Sequence, residues 1–348
     1  MRKHIPFLGS MMLCLLFAAC EQKDFSVNSP NKKEVTIVYG LLDPDARQHY
    51  LKIHKGFLTE GSAYDAAKDP HYYSYGDSIE VFMEEYSGTS FLRRIDFDTT
   101  TAVPKDSGLF AYPEQLLYTA KAKLRSDYRY VLWVKNKYTG KICTAETSPV
   151  GEINVSYPIK NLSEMISFPE TDLRIKYNYR SGTNAACFEA LYYYYYTEEL
   201  AEGGKRQGKA VEWLVGKDYA NQPRMSIPYQ GVTFYQKVAQ GIPDDPKVSK
   251  RHTDSIVLKV YSGGEDLYKY MQASSVGTGI NQERLLYTNL HSYASAADYA
   301  AGKEDKNCIG VFSSKSVTRI VFRDLAIVSR DSLFKGRLTG HLKFTDIY

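Results

Sequence analysis

The 348 residues carry 44 basic and 40 acidic side chains, a formal net charge of +4, and 30 tyrosines. This near balance excludes the strongly basic footprint of a nucleic-acid-binding protein. The length suffices for two domains, each able to bury its own core, and the tyrosine content favours strands, where the ring lies on a half-buried pleated face.

At the N-terminus, Arg2 and Lys3 precede a largely apolar stretch from Ile5 to Ala19 that ends in Leu16-Phe17-Ala18-Ala19-Cys20. This is the layout of a secretory signal, and it stops at charged Glu21-Gln22-Lys23-Asp24, short of the ~20 apolar residues of a spanning helix. The small pair before a cysteine resembles the lipobox of bacterial lipoproteins. Residues 1–19 are therefore expected to be removed and Cys20 to carry diacylglycerol on its thiol and an acyl chain on its new amine. Each buried methylene contributes about 0.8 kcal/mol, so several chains on one residue hold a protein to a membrane essentially permanently. Residues 20–33, polar after the cysteine and containing Asn28, Pro30 and Asn31, read as a flexible tether.

Removal of the signal leaves 42 basic residues (44 − 2) against 40 acidic ones. It also leaves Cys143, Cys187 and Cys308 beside the anchor, so at most one disulfide can form among them. Their wide spacing matches no zinc pattern, and three separate small buried side chains are the expectation.

Strand-like segments follow at the spacing of a sandwich: Val35–Leu42, Tyr50–Phe57, Ser78–Tyr86, Ser90–Phe97, Leu116–Leu124, Tyr128–Lys135 and Lys141–Thr147. Tyr128, Tyr130, Leu132 and Val134 alternate on one face, and Asn136-Lys137-Tyr138-Thr139-Gly140 turns the chain into the next strand. Residues 34–157 are expected to form an immunoglobulin- or fibronectin-like antiparallel sandwich. After a break at Pro158 to Pro169, residues 158–348 are expected to form a second β-rich domain. Leu173, Ile175, Tyr177 and Tyr179 alternate strictly, and further strands are expected at Cys187–Thr197, Val211–Val215, Gly231–Val238, Ser255–Tyr261, Ile309–Phe312, Val317–Phe322 and Leu338–Phe344. Leu267, Tyr268 and Met271 share a face at helical spacing, which predicts a helix over Glu265–Ser275; a shorter one is expected at Ala294–Ala301.

Laid in order, several pieces resemble a known group of proteins. They are Val38-Tyr39-Gly40-Leu41-Leu42, His49-Tyr50-Leu51-Lys52-Ile53, Val103 to Phe110, Leu267-Tyr268-Lys269-Tyr270, Thr288-Asn289-Leu290 and Ile309-Gly310-Val311-Phe312. Their layout is similar to an uncharacterised Bacteroidetes lipoprotein family, domain of unknown function 4249, often encoded near TonB-dependent receptors. The resemblance implies an outer-membrane lipoprotein without catalytic residues, and Glu21 in place of an Asp after the lipid cysteine agrees with the outer membrane.

No HExxH, GxSxG, SxxK with its partner motifs, Walker loop or GxGxxG is present, so no cofactor, metal or hydrolase site is expected. Glu84-Glu85 and Glu198-Glu199 are adjacent in strands and point to opposite faces, which keeps each pair from sharing one substrate. His252 with Asp254, and Asp43-Pro44-Asp45, read as a strand entry and a solvated turn rather than a triad or a calcium site.

Tyr192-Tyr193-Tyr194-Tyr195-Tyr196 departs from background. In a strand, Tyr192, Tyr194 and Tyr196 face one way and Tyr193 and Tyr195 the other. One face is then an aromatic platform for a glycan, peptide or partner, or both faces are packed; packing is the expectation, for Trp213 and His71 to Tyr75 as well. The function expected is a non-enzymatic outer-membrane lipoprotein that binds a ligand or partner beside a TonB-dependent uptake system. The alternative is a fimbrillin-like structural subunit or adhesin, cut after Arg47.

Overall fold

The computed structural model describes residues 35–56, 62–159, 164–178, 184–219, 224–275 and 287–345. The signal (1–19), Cys20, the tether (20–33) and Tyr179 lie outside the described residues. The protein is mainly β, as its alternating segments demand.

The first half contributes β1 (Thr36–Leu42), β2 (Gln48–Lys55), β3 (Ile79–Ser87), β4 (Ser90–Asp96), β5 (Asp98–Thr100), β6 (Leu117–Lys121), β7 (Arg129–Asn136), β8 (Ile142–Thr147) and β9 (Asn154–Tyr157), with single-turn helices α1 (Ala63–Ala66) and α2 (Pro70–Tyr73). The second half contributes β10 (Met165–Ile166), β11 (Asp172–Asn178), β12 (Ala185–Leu200), β13 (Lys205–Gln207), β14 (Val211–Tyr219), β15 (Arg224–Gln230), β16 (Val248–Gly264), β17 (His291–Tyr293), β18 (Cys308–Phe322) and β19 (Asp324–Leu325). Its helices are α3 (Val232–Gly241), α4 (Glu265–Ser275), α5 (Ala296–Ala300) and α6 (Ile327–Lys335).

Two cores organise these elements. In the first, Val38, Leu51 and Tyr118 from β1, β2 and β6 face Val81, Met83, Leu132, Val134 and Ala145 from β3, β7 and β8, which gives the expected sandwich. Each such aliphatic side chain contributes roughly 1.5–3 kcal/mol on burial. In the second, the inner face of β12, β14 and β16 packs on Ile175 and Tyr177 of β11, Ile227 and Tyr229 of β15, and Phe234, Tyr235 and Val238 of α3.

The sheets do not stop at residue 157. One sheet runs β13-β12-β16-β18-β1-β2-β6-β5, so that β1 lies parallel to β18, and β17 extends the opposite sheet of the sandwich by pairing with β8. Gly310 makes the parallel crossing possible. Its φ is +117°, and a side chain there would meet the Val38 carbonyl oxygen at 2.0 Å.

Three expectations are corrected. Gly231–Val238 was expected as a strand, yet Val232–Gly241 is α3: Phe234, Tyr235 and Val238 recur at helical spacing and are buried together, and packing overrides the β preference of Val232 and Thr233. The strands expected at Ile309–Phe312 and Val317–Phe322 are one strand, β18. Its middle carries buried Ser313, Ser314 and Ser316, whose hydroxyls are engaged: Ser314 Oγ accepts from Val150 N at 2.8 Å, Ser313 Oγ accepts from Leu267 N at 3.2 Å, and Ser316 Oγ donates to Asp45 Oδ2 at 3.3 Å. The strand expected at Leu338–Phe344 is instead a 3-10 turn, Gly340–Leu342, after α6; Thr339 Oγ1 ties it to the Leu333 carbonyl at 2.7 Å.

Candidate ligand-binding groove

β12 pairs with β14 on one side and β16 on the other, which centres the tyrosine run in a sheet. Its alternation sorts the rings. Tyr192, Tyr194 and Tyr196 point into the second core, where Tyr192 stacks on Trp213 at 5.5 Å and meets Phe168 edge-on at 5.3 Å. Tyr194 donates to or accepts from Thr253 Oγ1 at 2.9 Å, and Tyr192 shares a 3.3 Å hydrogen bond with Tyr229. These four aromatic residues, Trp213 included, are core, and no ligand reaches them without unfolding. Of the six candidate residues, Tyr192, Tyr194, Tyr196 and Trp213 are packed as expected, and a platform on one face can use only Tyr193 and Tyr195, because the pleat turns the others inward.

Tyr193 and Tyr195 stand half-buried on the outer face, stacked 6.5 Å apart. The Lys259 ammonium sits 4.4 Å from the Tyr193 ring centroid. Burial, then a hydrogen bond to Tyr261, pushes the Tyr193 phenol up to about 12, so the ring stays neutral and keeps its donor at physiological pH.

Beyond Tyr193 the outer face becomes a groove of about 360 Å³, floored by Leu191, Tyr193 and Tyr261 and walled by Tyr219 of β14 and Leu267 and Met271 of α4. Tyr219 packs on Tyr268 of the helix at 4.7 Å between centroids. Gly263 lets α4 settle here: a Cβ would lie 2.8 Å from Cys187 Sγ and 2.9 Å from Leu267 Cδ2. Charge enters at two edges. Lys217 pairs with Glu189 at 2.9 Å, whereas Lys315 is exposed and makes no ion pair among the described residues.

The groove is lined largely by aromatic and aliphatic side chains. Its thiol, Cys187, is buried, donates weakly to the Gly263 carbonyl at 3.8 Å, and is pushed up by burial, away from the thiolate a nucleophile needs. His252 is engaged elsewhere, by Glu199 at 3.2 Å and the Thr345 carbonyl at 3.2 Å, and Asp254 accepts from Thr197 and Gln207. Glu84 accepts from Trp133 and Tyr86, while Glu85 is buried against Arg93 and Tyr130, so the pair diverges as the strand period requires. Asp43 Oδ1 accepts from Asp45 N at 3.0 Å, closing the turn at Pro44. Among the described residues no group of three or more His, Cys, Asp or Glu is placed to hold a metal ion, and no helix is long and apolar enough to cross a membrane.

Tyr219, Tyr261 and Lys315 were not singled out in the sequence, and Leu267 and Met271 only as residues of a helix face. The helical spacing of Leu267, Tyr268 and Met271 was visible, but not the surface that this stripe covers.

No protein-family model matches this sequence, and no curated protein does. Among solved structures, trypsin-activated α2-macroglobulin from Escherichia coli is 8% identical with a TM-score of 0.18, over 68% of this chain and 15% of that one. The C-terminal globular domain of an oligosaccharyltransferase from Pyrococcus abyssi is 10% identical with a TM-score of 0.21, over 64% of this chain and 43% of that one. The calcium binding domain CBD12 of CALX1.1 is 12% identical with a TM-score of 0.16, over 82% and 99%. The chain thus spans well under two thirds of the first two, and likenesses this distant carry no argument about its fold or role.

Proposed function

We propose that this protein is a non-enzymatic lipoprotein, anchored to the outer membrane through Cys20, that holds a glycan or peptide in the groove on the outer face of β12. The observation that carries the reading is the groove itself: three tyrosines, two leucines and a methionine line about 360 Å³ beside Lys315, which makes no ion pair among the described residues. Small-ligand sites are of that size and are mostly apolar with a few polar groups. Tyrosine offers a flat ring for a sugar or a peptide side chain and a hydroxyl for its polar edge. The signal layout before Cys20 and the resemblance to lipoproteins encoded beside TonB-dependent receptors support a role as an accessory to uptake.

Two measurements test this. Cys20→Ala protein is expected to lose label from radioactive palmitate and leave the membrane fraction; retention of both sinks the anchor. The soluble Cys20→Ala protein is then screened on glycan and peptide arrays. Tyr193→Ala and Tyr261→Ala are each expected to weaken the ligand found by about 1–3 kcal/mol. Unchanged affinity in both variants would move the binding surface elsewhere.

A further inference from the structure

A second, smaller cavity of about 190 Å³ lies beside β2, lined by Lys52 and His54 of that strand, Tyr73 of α2, and Lys105, Phe110 and Gln115 of the segment leading to β6. Its walls are joined by ring contacts and hydrogen bonds. The His54 ring packs between Tyr73 at 5.3 Å and Phe110 at 6.2 Å, and the last two rings meet edge-on at 5.1 Å. Gln115 Nε2 donates to the carbonyls of Val103 at 3.4 Å and Pro104 at 3.5 Å, which fixes the chain just before Lys105.

The charge in this cavity is unbalanced. Lys52 Nζ donates to Gln115 Oε1 at 3.2 Å, and Lys105 Nζ donates to the Phe110 carbonyl at 3.1 Å. Both lysines are half-buried, and neither makes an ion pair among the described residues. Glu114, the one carboxylate on the lining, is exposed at the rim and pairs with neither. Burial first, then the Lys105 charge, holds the Lys52 ammonium below its usual range. Burial, then Lys52, then Lys105, hold His54 down to about 4. The groups facing His54 are thus two cations, the Tyr73 phenol and Glu114 at the rim.

We infer that this cavity binds a small anion, a carboxylate or phosphate group seated between Lys52 and Lys105, with its apolar part against Tyr73 and Phe110. Each lysine has donors left over after its single neutral acceptor, and an anion would take one from each while cancelling their repulsion. The acceptors Gln115 Oε1 and Phe110 O, themselves on lining residues, hold both ammonium groups at the cavity without neutralising them. Enclosure by two rings limits the ligand to a small molecule.

The test uses the full chain with sodium acetate and inorganic phosphate as probes, and sodium chloride at equal ionic strength as control. Histidine NMR is the readout. Acetate or phosphate is expected to shift the His54 ring resonances saturably and to raise its titration midpoint from about 4 towards the ordinary 6.5. Lys52→Met and Lys105→Met are each expected to weaken the response about tenfold or more, the loss of one charge-assisted hydrogen bond. A response to acetate alone marks a carboxylate ligand, and a tighter response to phosphate marks a phosphate; either supports the site. An equal shift in chloride, no saturation up to tens of millimolar, or unchanged affinity in the variants overturns it. If Lys52→Met fails to fold, Lys105→Met, on the loop, decides.

Discussion

Arg251→Ala is expected to lower folding stability by about 3–5 kcal/mol, the cost of leaving a buried charge without its partner. The Arg251 side chain is 0% exposed and Glu198 is 5% exposed. Its Nε donates to Glu198 Oε1 at 2.9 Å, Nη1 to the Leu342 carbonyl at 2.7 Å and Nη2 to the Pro243 carbonyl at 2.8 Å. Truncation takes these donors from Glu198 Oε1 and the Leu342 carbonyl, both in buried hydrogen bonds. Arg206 still reaches Glu198 at 2.6 Å, but from the surface, with 47% of its side chain exposed. Arg206→Ala should therefore cost far less than Arg251→Ala. For a chain of this length the Arg251 variant should melt about 5–8 °C lower. The backbone makes the loss local at first: Arg251 N donates to the Lys343 carbonyl and Thr345 N to the Arg251 carbonyl, each at 3.0 Å. Amides of Leu342 to Thr345 should lose hydrogen-exchange protection before the sheet does. A shift under 1 kcal/mol, or equal shifts for Arg251→Ala and Arg206→Ala, would remove the ion pair from the account of the core.

What could be read from the sequence was local. The strands of the first half follow from alternation with one face buried, as in β7, where Tyr130, Leu132 and Val134 are inside and Val131 and Trp133 half-exposed. Glu265–Ser275 is helical as its spacing predicts. What could not be read was long-range. No local pattern reports that β1 pairs in parallel with β18, 272 positions on at Thr36↔Cys308. The serines of β18 fell between the two expected strands, and their hydrogen-bond partners, Val150, Leu267 and Asp45, come from three distant segments. The groove fails for the same reason. Its walls come from β12, β14, β16 and α4, and the tyrosine run supplies only one ring, Tyr193, to the lining.

Tyr193→Ala and Tyr194→Ala, neighbours in sequence, are expected to differ sharply in stability, because the strand period sends one ring out and the other in. Tyr194 is 2% exposed. Its ring meets Phe234 edge-on at 5.4 Å, Phe344 at 5.9 Å and Tyr196 at 6.0 Å, and its hydroxyl is bonded to Thr253 at 2.9 Å. Truncation opens a cavity among rings that the sheet and α3 hold apart, and leaves Thr253 without this partner. The expected cost is about 3–5 kcal/mol, a fall in melting temperature of about 5–8 °C. Tyr193 has solvent on one side, so its truncation gives up a stack with Tyr195 and the Lys259 contact and opens no closed cavity. That loss is about 1 kcal/mol. Thermal melts of the two variants decide the matter. Similar drops would mean that the outer face is covered and that the groove is closed to ligands. A drop confined to Tyr194→Ala leaves Tyr193→Ala as a folded probe, whose effect on affinity then measures binding alone.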